Sequence, residues 1–370
     1  MRVLTVDLGS SSLKLRVVGA DGLVLAARDL PAAGGAGMAP EALRLAVRPL
    51  GPFDAVAHRL VHGGPELRAP AVVDDALLAL LDDLRDLAPL HLPGELSLVR
   101  GLQALRPEVP AVVCFDTAFF AELPPAAQEL ALPRVWVRRH GLRRFGFHGL
   151  AHASAVRAAA ELLGRPRDGV GLVTAHLGAG SSIAAVEGGR PVATSMGFSP
   201  LDGVVMATRP GSLDPGVVVR LLRRGVGVDA LEDGLQHESG LRGLSDRTGD
   251  MRELLTLVDA GDAGAAQAVE VWVAQVAAGV AAAATALRRL DAVVFTGGIG
   301  EHSARLRRAV LSRLGALGVP ADAAGEEGQA PDAVLSAPDR RVAVVRVACR
   351  EHLELARAAH DLLVDAEVHA

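Results

Sequence analysis

The sequence predicts an α/β protein built from two copies of one plan, and three observations carry that expectation. Residues 3–18, VLTVDLGSSSLKLRVV, read as an apolar strand, a tight turn of Gly9, Ser10, Ser11 and Ser12, and a second alternating strand. Residues 171–186, GLVTAHLGAGSSIAAV, repeat that plan around Gly178 to Ser182, and each copy places a polar residue, Asp7 or His176, just ahead of its glycine. The third observation is size: 370 residues, 50% hydrophobic and 22% charged, suit two globular domains. A turn of small residues has no bulk over its N–H groups, so it can approach an anion directly. Two such hairpins facing each other would clamp a phosphate.

Composition narrows the class. A net charge of -5 gives no reason to expect nucleic acid or an acidic membrane. Met1-Arg2 runs straight into a strand, so no signal peptide is read, and the apolar run Val271 to Leu287 is short for a membrane span and reads as a buried Ala-rich helix. Cys114 and Cys349 are too few for a disulfide framework, which points to the cytosol. The chain has no Asn, no Tyr, two Ile and a single Lys against many Arg, the mark of a GC-rich genome. The one lysine, Lys14, lies inside the first hairpin, where a compact ammonium serves phosphate differently from a planar guanidinium. No GxxxxGK[ST] occurs, and Gly178-Ala179-Gly180 is a poor dinucleotide fingerprint.

In chain order, Leu23 to Arg28 continues the first sheet and residues 31–40 form a loop. Phe53 to Leu60 is a strand ending in His58-Arg59, Ala76 to Leu87 and Glu95 to Leu105 are helices, and Ala111 to Phe115 is a strand. That last strand delivers Asp116-Thr117 at its C-terminal end, where open α/β sheets place ligands. RRFGFHGLAH, residues 143–152, opens a helix to about Leu163. After the second hairpin, Thr194 to Pro215 is a long Gly/Pro-rich loop, and loops of that length inside a domain are usually functional. Helices follow at about 216–224, 251–258 and 264–289, and the strand Asp291 to Thr296 breaks into the turn Gly297-Gly298-Ile299-Gly300-Glu301 before a helix near Ser303. Such a turn lets a nucleotide lie against bare backbone. Residues 320–338 read as a loop, Arg341 to Val347 as the last strand and Glu351 to Leu363 as the last helix.

Duplicated strand-turn-strand phosphate loops resemble the actin, sugar-kinase and Hsp70 superfamily, which implies two actin-like (ribonuclease H-like) domains flanking a nucleotide cleft. More specifically, the sequence resembles the acetate and propionate kinase family. The matching segments run in family order: DLGSSSLK, HRLVHGG, APLH, FDTAF, FGFHGLAH, HLGAGSSI, TSMGFSPLDG, TRPGSLDP, SGLRGLS followed by DMR, and FTGGIGEHS. They cover nearly the whole chain, and only the region between the first hairpin and His58 is clearly shorter than usual.

The resemblance implies reversible transfer of the ATP γ-phosphoryl group to acetate, giving acetyl phosphate and ADP. A carboxylate of pKa about 4 is already ionised at neutral pH, so the task is charge neutralisation rather than base catalysis. By resemblance Arg59, Asp116, His148 and Arg209 are catalytic, and Val61, Leu90, His91, Phe147 and Pro200, with Arg59, bind the acyl substrate. Val61 would leave room for little more than a methyl group. Nucleotide and phosphate would be held by Ser10, Ser12, Lys14, His176, Gly178, Ala179, Gly180, Asp250, Met251, Arg252, Gly297, Gly298, Ile299 and Gly300. Mg²⁺, or Mn²⁺ in its place, would sit between Asp7, Glu351 and the ATP phosphates. The pairs His58/His62 and His148/His152 lack the glutamate of a zinc protease motif, so no zinc site is expected.

The implied domains are residues 1–117 with 353–370, and residues 118–352 with the nucleotide site. The implied assembly is a homodimer, without nucleic acid or membrane partners. Family asparagines are replaced by Asp7, Ala179 and His302, Phe120 stands where the family usually has His, and Ala207 where it often has Gly. Three rivals follow: a propionate or butyrate kinase or a pyrophosphate-using enzyme, a weakly catalytic protein that binds nucleotide or acyl phosphate as a regulator, and a sugar kinase of the same fold. The turn at Gly297 argues for adenosine over pyrophosphate, and the intact Arg59, Asp116, His148 and Arg209 argue against the regulator. A sugar kinase would need an Asp base and a polar pocket.

Overall fold

The computed structural model describes residues 1–9, 12–32, 37–323 and 331–368. Ser10, expected to hold phosphate, lies outside the described residues. The chain forms two compact units, one of Met1–Ala121, Phe147–Ser154 and Arg350–Ala370, the other of Glu122–Gly146 and Ala155–Cys349.

In the first unit, β1 (Val3–Leu8), β2 (Ser12–Val18) and β3 (Val24–Pro31) form an antiparallel meander. β4 (Ala55–Leu60) then pairs parallel to β1, β5 (Ala71–Val72) forms an edge, and β6 (Ala111–Phe115) joins β4 in parallel. The sheet order is β3-β2-β1-β4-β6-β5. Alternation along these strands sends side chains to opposite faces. Leu4, Val6, Leu13 and Leu15 pack with Leu43 and Val47 of the helix Pro40–Val47 and with Leu98 and Leu102 of the helix Leu92–Leu105. Val3, Ala55, Ala57, Val112 and Cys114 face the other way, onto Leu355, Ala356 and Ala359 of the helix Glu351–Val368.

The second unit contains β7 (Gly171–Leu177), β8 (Ser181–Glu187), β9 (Arg190–Thr194), β10 (Ala292–Thr296), β11 (Ala333–Val334) and β12 (Ala343–Arg346). Its order, β11-β12-β10-β7-β8-β9, is that of the first sheet read in reverse, so the duplication reaches every strand of the actin-like plan. The sequence reading held only the opening hairpin of that repeat, since β9 and the two-residue β11 are too short or too polar to stand out. Its core sets Val173, Ala175, Ile183, Val293 and Phe295 against Trp272, Val276 and Val280 of the helix Ala263–Ala284. Among the described residues that helix alone is long and apolar enough to cross a membrane.

The loop expected over 320–338 contains β11, the helix expected over Ala76 to Leu87 spans Asp75–Asp83, and three further elements differ for a visible reason. The helix foreseen from residue 143 begins at Gly149, because His148 sits in the left-handed region at φ 56° and cannot extend a right-handed helix. The glycine run after β10 is not an open turn: Gly297–His302 is itself a short helix, entered through Gly297 at φ 80°, and Ser303 caps a second helix, Ala304–Leu311. The 264–289 helix ends at Ala284, where the N–H groups of Thr285, Ala286 and Leu287 bond three residues back and tighten the last turn.

Candidate active site

The period of two that builds the first core also builds its polar cluster. Asp7 follows Val3 and Thr5 along β1, Arg59 follows Ala55 and Ala57 along β4, and Asp116 follows Val112 and Cys114 just past β6. The registers Thr5 with Ala57 and Ala57 with Val112 bring these three strand ends level, on the face covered by the helix that begins at Glu351. Three parallel strands therefore end in two acids and an arginine, next to a third acid.

Arg59 is the hub. Its Nε and Nη2 donate to Asp116 Oδ1 and Oδ2 at 3.1 and 2.6 Å, and its Nη1 donates to Asp7 Oδ1 at 2.9 Å. Glu351 Oε1 stands 4.0 Å from Arg59 Nε. The Arg59 side chain is only 9% exposed. Burial works against its charge, but Asp116, Asp7 and Glu351 outweigh that and hold the guanidinium protonated far above its ordinary value. Glu351 is pushed up to about 7, first by burial and then by the like charge of Asp7. Lys14 lies opposite Asp7 on the β1–β2 ladder, its Nζ 3.8 Å from Asp7 Oδ2, with the side chain half exposed. It is the most exposed charge of this cluster.

The strain at His148 is anchored here. Its backbone N–H donates to the Asp116 carboxylate, and a Cβ on the next residue, Gly149, would lie 2.0 Å from the Asp116 carbonyl oxygen. Only glycine lets the chain cross Asp116 so closely, and His148, in its left-handed turn, is half-buried. Phe147 is buried edge-on to the His62 ring, with centroids 5.5 Å apart, and Val61 is buried at the end of β4. His91 is half-buried at the start of the helix Leu92–Leu105, whereas Leu90 is 37% exposed.

One member of this neighbourhood escaped the sequence reading. Glu95, 2% exposed, accepts a 3.0 Å hydrogen bond from the Val61 N–H through Oε2, while its Oε1 has no partner. Burial, with Asp116 and Asp7 nearby, pushes its carboxyl up to about 8 although Arg59 and the Val61 N–H oppose the shift. The available signal was its spacing: Glu95 follows Leu92 by three and precedes Val99 by four, on the buried face of an amphipathic helix.

In the second unit Leu177 pairs with Ser181 across the β7–β8 turn, where Leu8 pairs with Leu13 in the first. Gly178 N–H donates to Gly180 O at 3.0 Å and Ala179 stands exposed at the tip. Gly297 and Gly300 pack against Leu177 of this hairpin. A Cβ on Gly297 would fall 2.7 Å from Leu177 O, and one on Gly178 would reach 4.0 Å from Gly298 N, whereas one on Gly298 would meet nothing within 4 Å. Glu301 and Arg307, neither foreseen, brace the short helix. Glu301 Oε1 accepts from the N–H groups of Gly297 and Cys349, both at 2.9 Å, and buried Arg307 donates to the carbonyls of Gly300 and Glu301. Ile299 packs against the core beneath.

His176 lies on β7 between Ser182 of β8 and Thr296 of β10. Arg209 donates to Pro200 O at 3.0 Å, so two residues of the long loop come together, and burial lowers the guanidinium to about 10, still charged at neutral pH. Asp250 caps the helix Met251–Asp259 by accepting from the Arg252 N–H and pairs with the exposed Arg252 side chain at 2.6 Å, while Met251 is buried. One departure gains a physical account: Phe120 is buried edge-on to Phe119 and His152. The Ala207 N–H donates to Ala179 O at 3.0 Å, tying the long loop to the tip of the second hairpin, a backbone bond that glycine would make as well.

Known proteins match this chain over most of its length. It is 44% identical to the acetate kinase of Deinococcus deserti over 313 residues, 84% of this chain and 78% of the relative. The crystal structure of Porphyromonas gingivalis acetate kinase superposes with a TM-score of 0.88 at 29% identity, covering 98% of this chain and 99% of that one. That of a propionate kinase from Francisella tularensis superposes with a TM-score of 0.87 at 30% identity, covering 97% and 99%. A family model described as the acetokinase family matches residues 46–357, a span that takes in Arg59, Asp116, His148, Arg209 and Glu351, and the chain belongs to that family.

Proposed function

We propose that this protein is an ATP-dependent acetate kinase, a phosphotransferase with a carboxyl group as acceptor. The observation that carries the reading is the convergence of Asp7, Arg59 and Asp116 at three parallel strand ends, with His148 N–H on Asp116. In the reaction an acetate oxygen bonds to the γ-phosphorus as the bond from that phosphorus to the bridging oxygen breaks, and ADP leaves with the electron pair. No proton has to move. The work is electrostatic: an anion must approach a polyanion, and guanidinium groups suit both.

Arg59 draws in the acyl carboxylate, Asp116 fixes its orientation, and His148 and Arg209 stabilise the transferring phosphoryl group. Val61, Leu90, Phe147 and Pro200 enclose the acyl chain and His91 its carboxylate end. Lys14 with Ser10 and Ser12, and on the second unit His176, Gly178, Ala179, Gly180, Asp250, Met251 and Arg252, hold phosphates and nucleotide, while Gly297, Gly298, Ile299 and Gly300 leave the adenosine bare backbone. The division between acyl and nucleotide roles runs near residues 117 and 352.

Asp7 and Glu351 fit a divalent cation. Both are hard oxygen donors, and the like charge of Asp7 helps drive Glu351 toward its protonated form, a repulsion that Mg²⁺ or Mn²⁺ relieves. Among the described residues no group of three or more His, Cys, Asp or Glu is placed to hold a metal, so such an ion takes its other ligands from phosphate and water. The bound ion supplies charge neutralisation of the β- and γ-phosphates.

A second reading, a propionate kinase, is favoured by the Francisella tularensis structure and by the exposure of Leu90. One methylene is worth only about 1–3 kcal/mol of discrimination, so propionate should be the slower substrate rather than an excluded one. A second copy of the chain covers the helix Pro215–Arg223, whose Val217, Val219, Leu221 and Leu222 are all exposed, and light scattering should give twice the mass of the chain. Cys114 is a buried free thiol, in keeping with the cytosol. The deciding experiment traps acyl phosphate with hydroxylamine from acetate and propionate, with ATP or pyrophosphate as donor and Mg²⁺ present or chelated. Acetate, ATP and Mg²⁺ together should lead. No acyl phosphate from folded, ATP-binding protein would leave the regulator reading in place.

A further inference from the structure

β4 ends at Leu60, and beyond it the chain leaves the sheet at the point where the acyl pocket is read. Its N–H groups there are met by side chains instead of a ladder: Val61 by Glu95 at 3.0 Å, Gly63 by Thr117 at 3.1 Å and Gly64 by His62 at 2.8 Å. Leu60 O accepts from the Asp116 N–H at 3.0 Å, so Val61 is suspended between the Asp116 strand end and Glu95. The Val61–Glu95 bond ties this segment to the helix Leu92–Leu105, on which Leu60 and Val61 also pack through Leu92, Leu96 and Val99, and that helix enters directly from Leu90 and His91.

We propose that Glu95 is a positioning residue for acyl specificity: by holding the Val61 N–H it sets how far the Val61 side chain stands into the acyl pocket, and so how well acetate is told from longer carboxylates. This rests on the reading of Val61 as a wall of that pocket. Buried beside Asp116 and Asp7, Glu95 keeps its proton below pH about 8, and Arg59 is the opposing cation. A glutamine, neutral and of the same shape, therefore reproduces what Glu95 does. An unpartnered Oε1 in a closed core is tolerable for a neutral acid and not for a carboxylate. Glu95 meets no substrate atom on this account; it acts through the Val61 backbone.

The test compares wild type with Glu95→Gln, Glu95→Leu and Glu95→Asp. The readouts are kcat/KM for acetate and propionate, KM for ATP, and hydrogen exchange at the Val61 amide. Glu95→Gln should keep the acetate-to-propionate ratio and the Val61 exchange rate within about twofold of wild type. Glu95→Leu should exchange the Val61 amide about tenfold faster and lose about tenfold in that ratio, with KM for ATP unchanged. Glu95→Asp, whose shorter side chain withdraws the carboxyl from Val61 while adding no apolar bulk, should follow Glu95→Leu and stands in for it should the leucine variant not fold. Folded Leu and Asp variants that match wild type in ratio or in Val61 exchange would overturn the proposal. Wild type that makes no acyl phosphate would instead overturn the functional reading, while Val61 exchange still reports whether Glu95 holds that amide.

Discussion

Arg59 grips Asp116 through two parallel hydrogen bonds in a setting closed to water, and the same guanidinium reaches Asp7 with its remaining nitrogen. Removing one partner of a buried ion pair strands the other, at a cost of about 3–5 kcal/mol. Arg59→Ala leaves buried Asp116 and Glu351 without their guanidinium and Asp7 with only the half-exposed Lys14 ammonium, 3.8 Å away. The expected result is a Tm well below wild type, partly restored by millimolar Mg²⁺, with no measurable acetyl phosphate. Arg59→Lys keeps the charge but not the fork, so it should recover most of the Tm and little of the activity. A calorimetric scan of both variants with and without Mg²⁺ decides it.

Gly149 is fixed by the Asp116 carbonyl, which would lie 2.0 Å from a Cβ there. Gly149→Ala forces apart the backbone that carries His148 and the acid its N–H serves. Acetate turnover should fall more than about tenfold, since misplacement by an ångström costs on the order of a hundredfold in such sites. Binding of ATP, measured by calorimetric titration, should change little.

Gly297 and Gly298 are neighbours with opposite tolerances. Gly297 has φ 80° and would set a Cβ 2.7 Å from Leu177 O, so Gly297→Ala should lower Tm outright. Gly298 faces open space, so Gly298→Ala should melt like wild type yet raise KM for ATP, because the methyl group occupies backbone the nucleotide is proposed to approach. Equal Tm values for the two variants would contradict the packing described.

Stability should carry a signature of Glu95. An unfolded glutamate titrates near 4.5 and the folded one near 8, so between those values only the folded state keeps the proton. Raising the pH through that window favours the state that releases it, and stability falls. Buried His58, lowered to about 3, acts with the opposite sign between about 3 and 6.5, so the comparison is made as a difference. Wild type should lose Tm relative to Glu95→Gln as pH rises from about 4.5 to 8, and the difference should level off above that.

The sequence made the two hairpins legible because their turns and apolar strands are local signals. The full repeat was not legible, since β5, β9 and β11 exist only by pairing with strands far along the chain. Asp7, Arg59 and Asp116 could be named from motifs, and their shared face follows from alternation once the registers Thr5 with Ala57 and Ala57 with Val112 are known. The left-handed His148 and the helix at Gly297 were hidden because each depends on a close approach to another segment, Asp116 in one case and Leu177 in the other. Glu95 was hidden for a different reason. Its importance lies in burial, which turns an ordinary acid in a helix's first turn into a neutral hydrogen-bond acceptor.

The helix Glu351–Val368 covers β1, β4 and β6, yet the ribosome makes it after the whole of the second unit. Until it emerges, Val3, Ala55, Ala57 and Val112 lack the cover of Leu355, Ala356 and Ala359, and the acid cluster lacks Glu351. The second unit, contained between residues 122 and 349, can complete its own core during synthesis. A growing chain thus acquires the β7–β8 hairpin before its carboxylate cluster is whole, and that cluster closes only when the first turn of the helix Glu351–Val368 has been made.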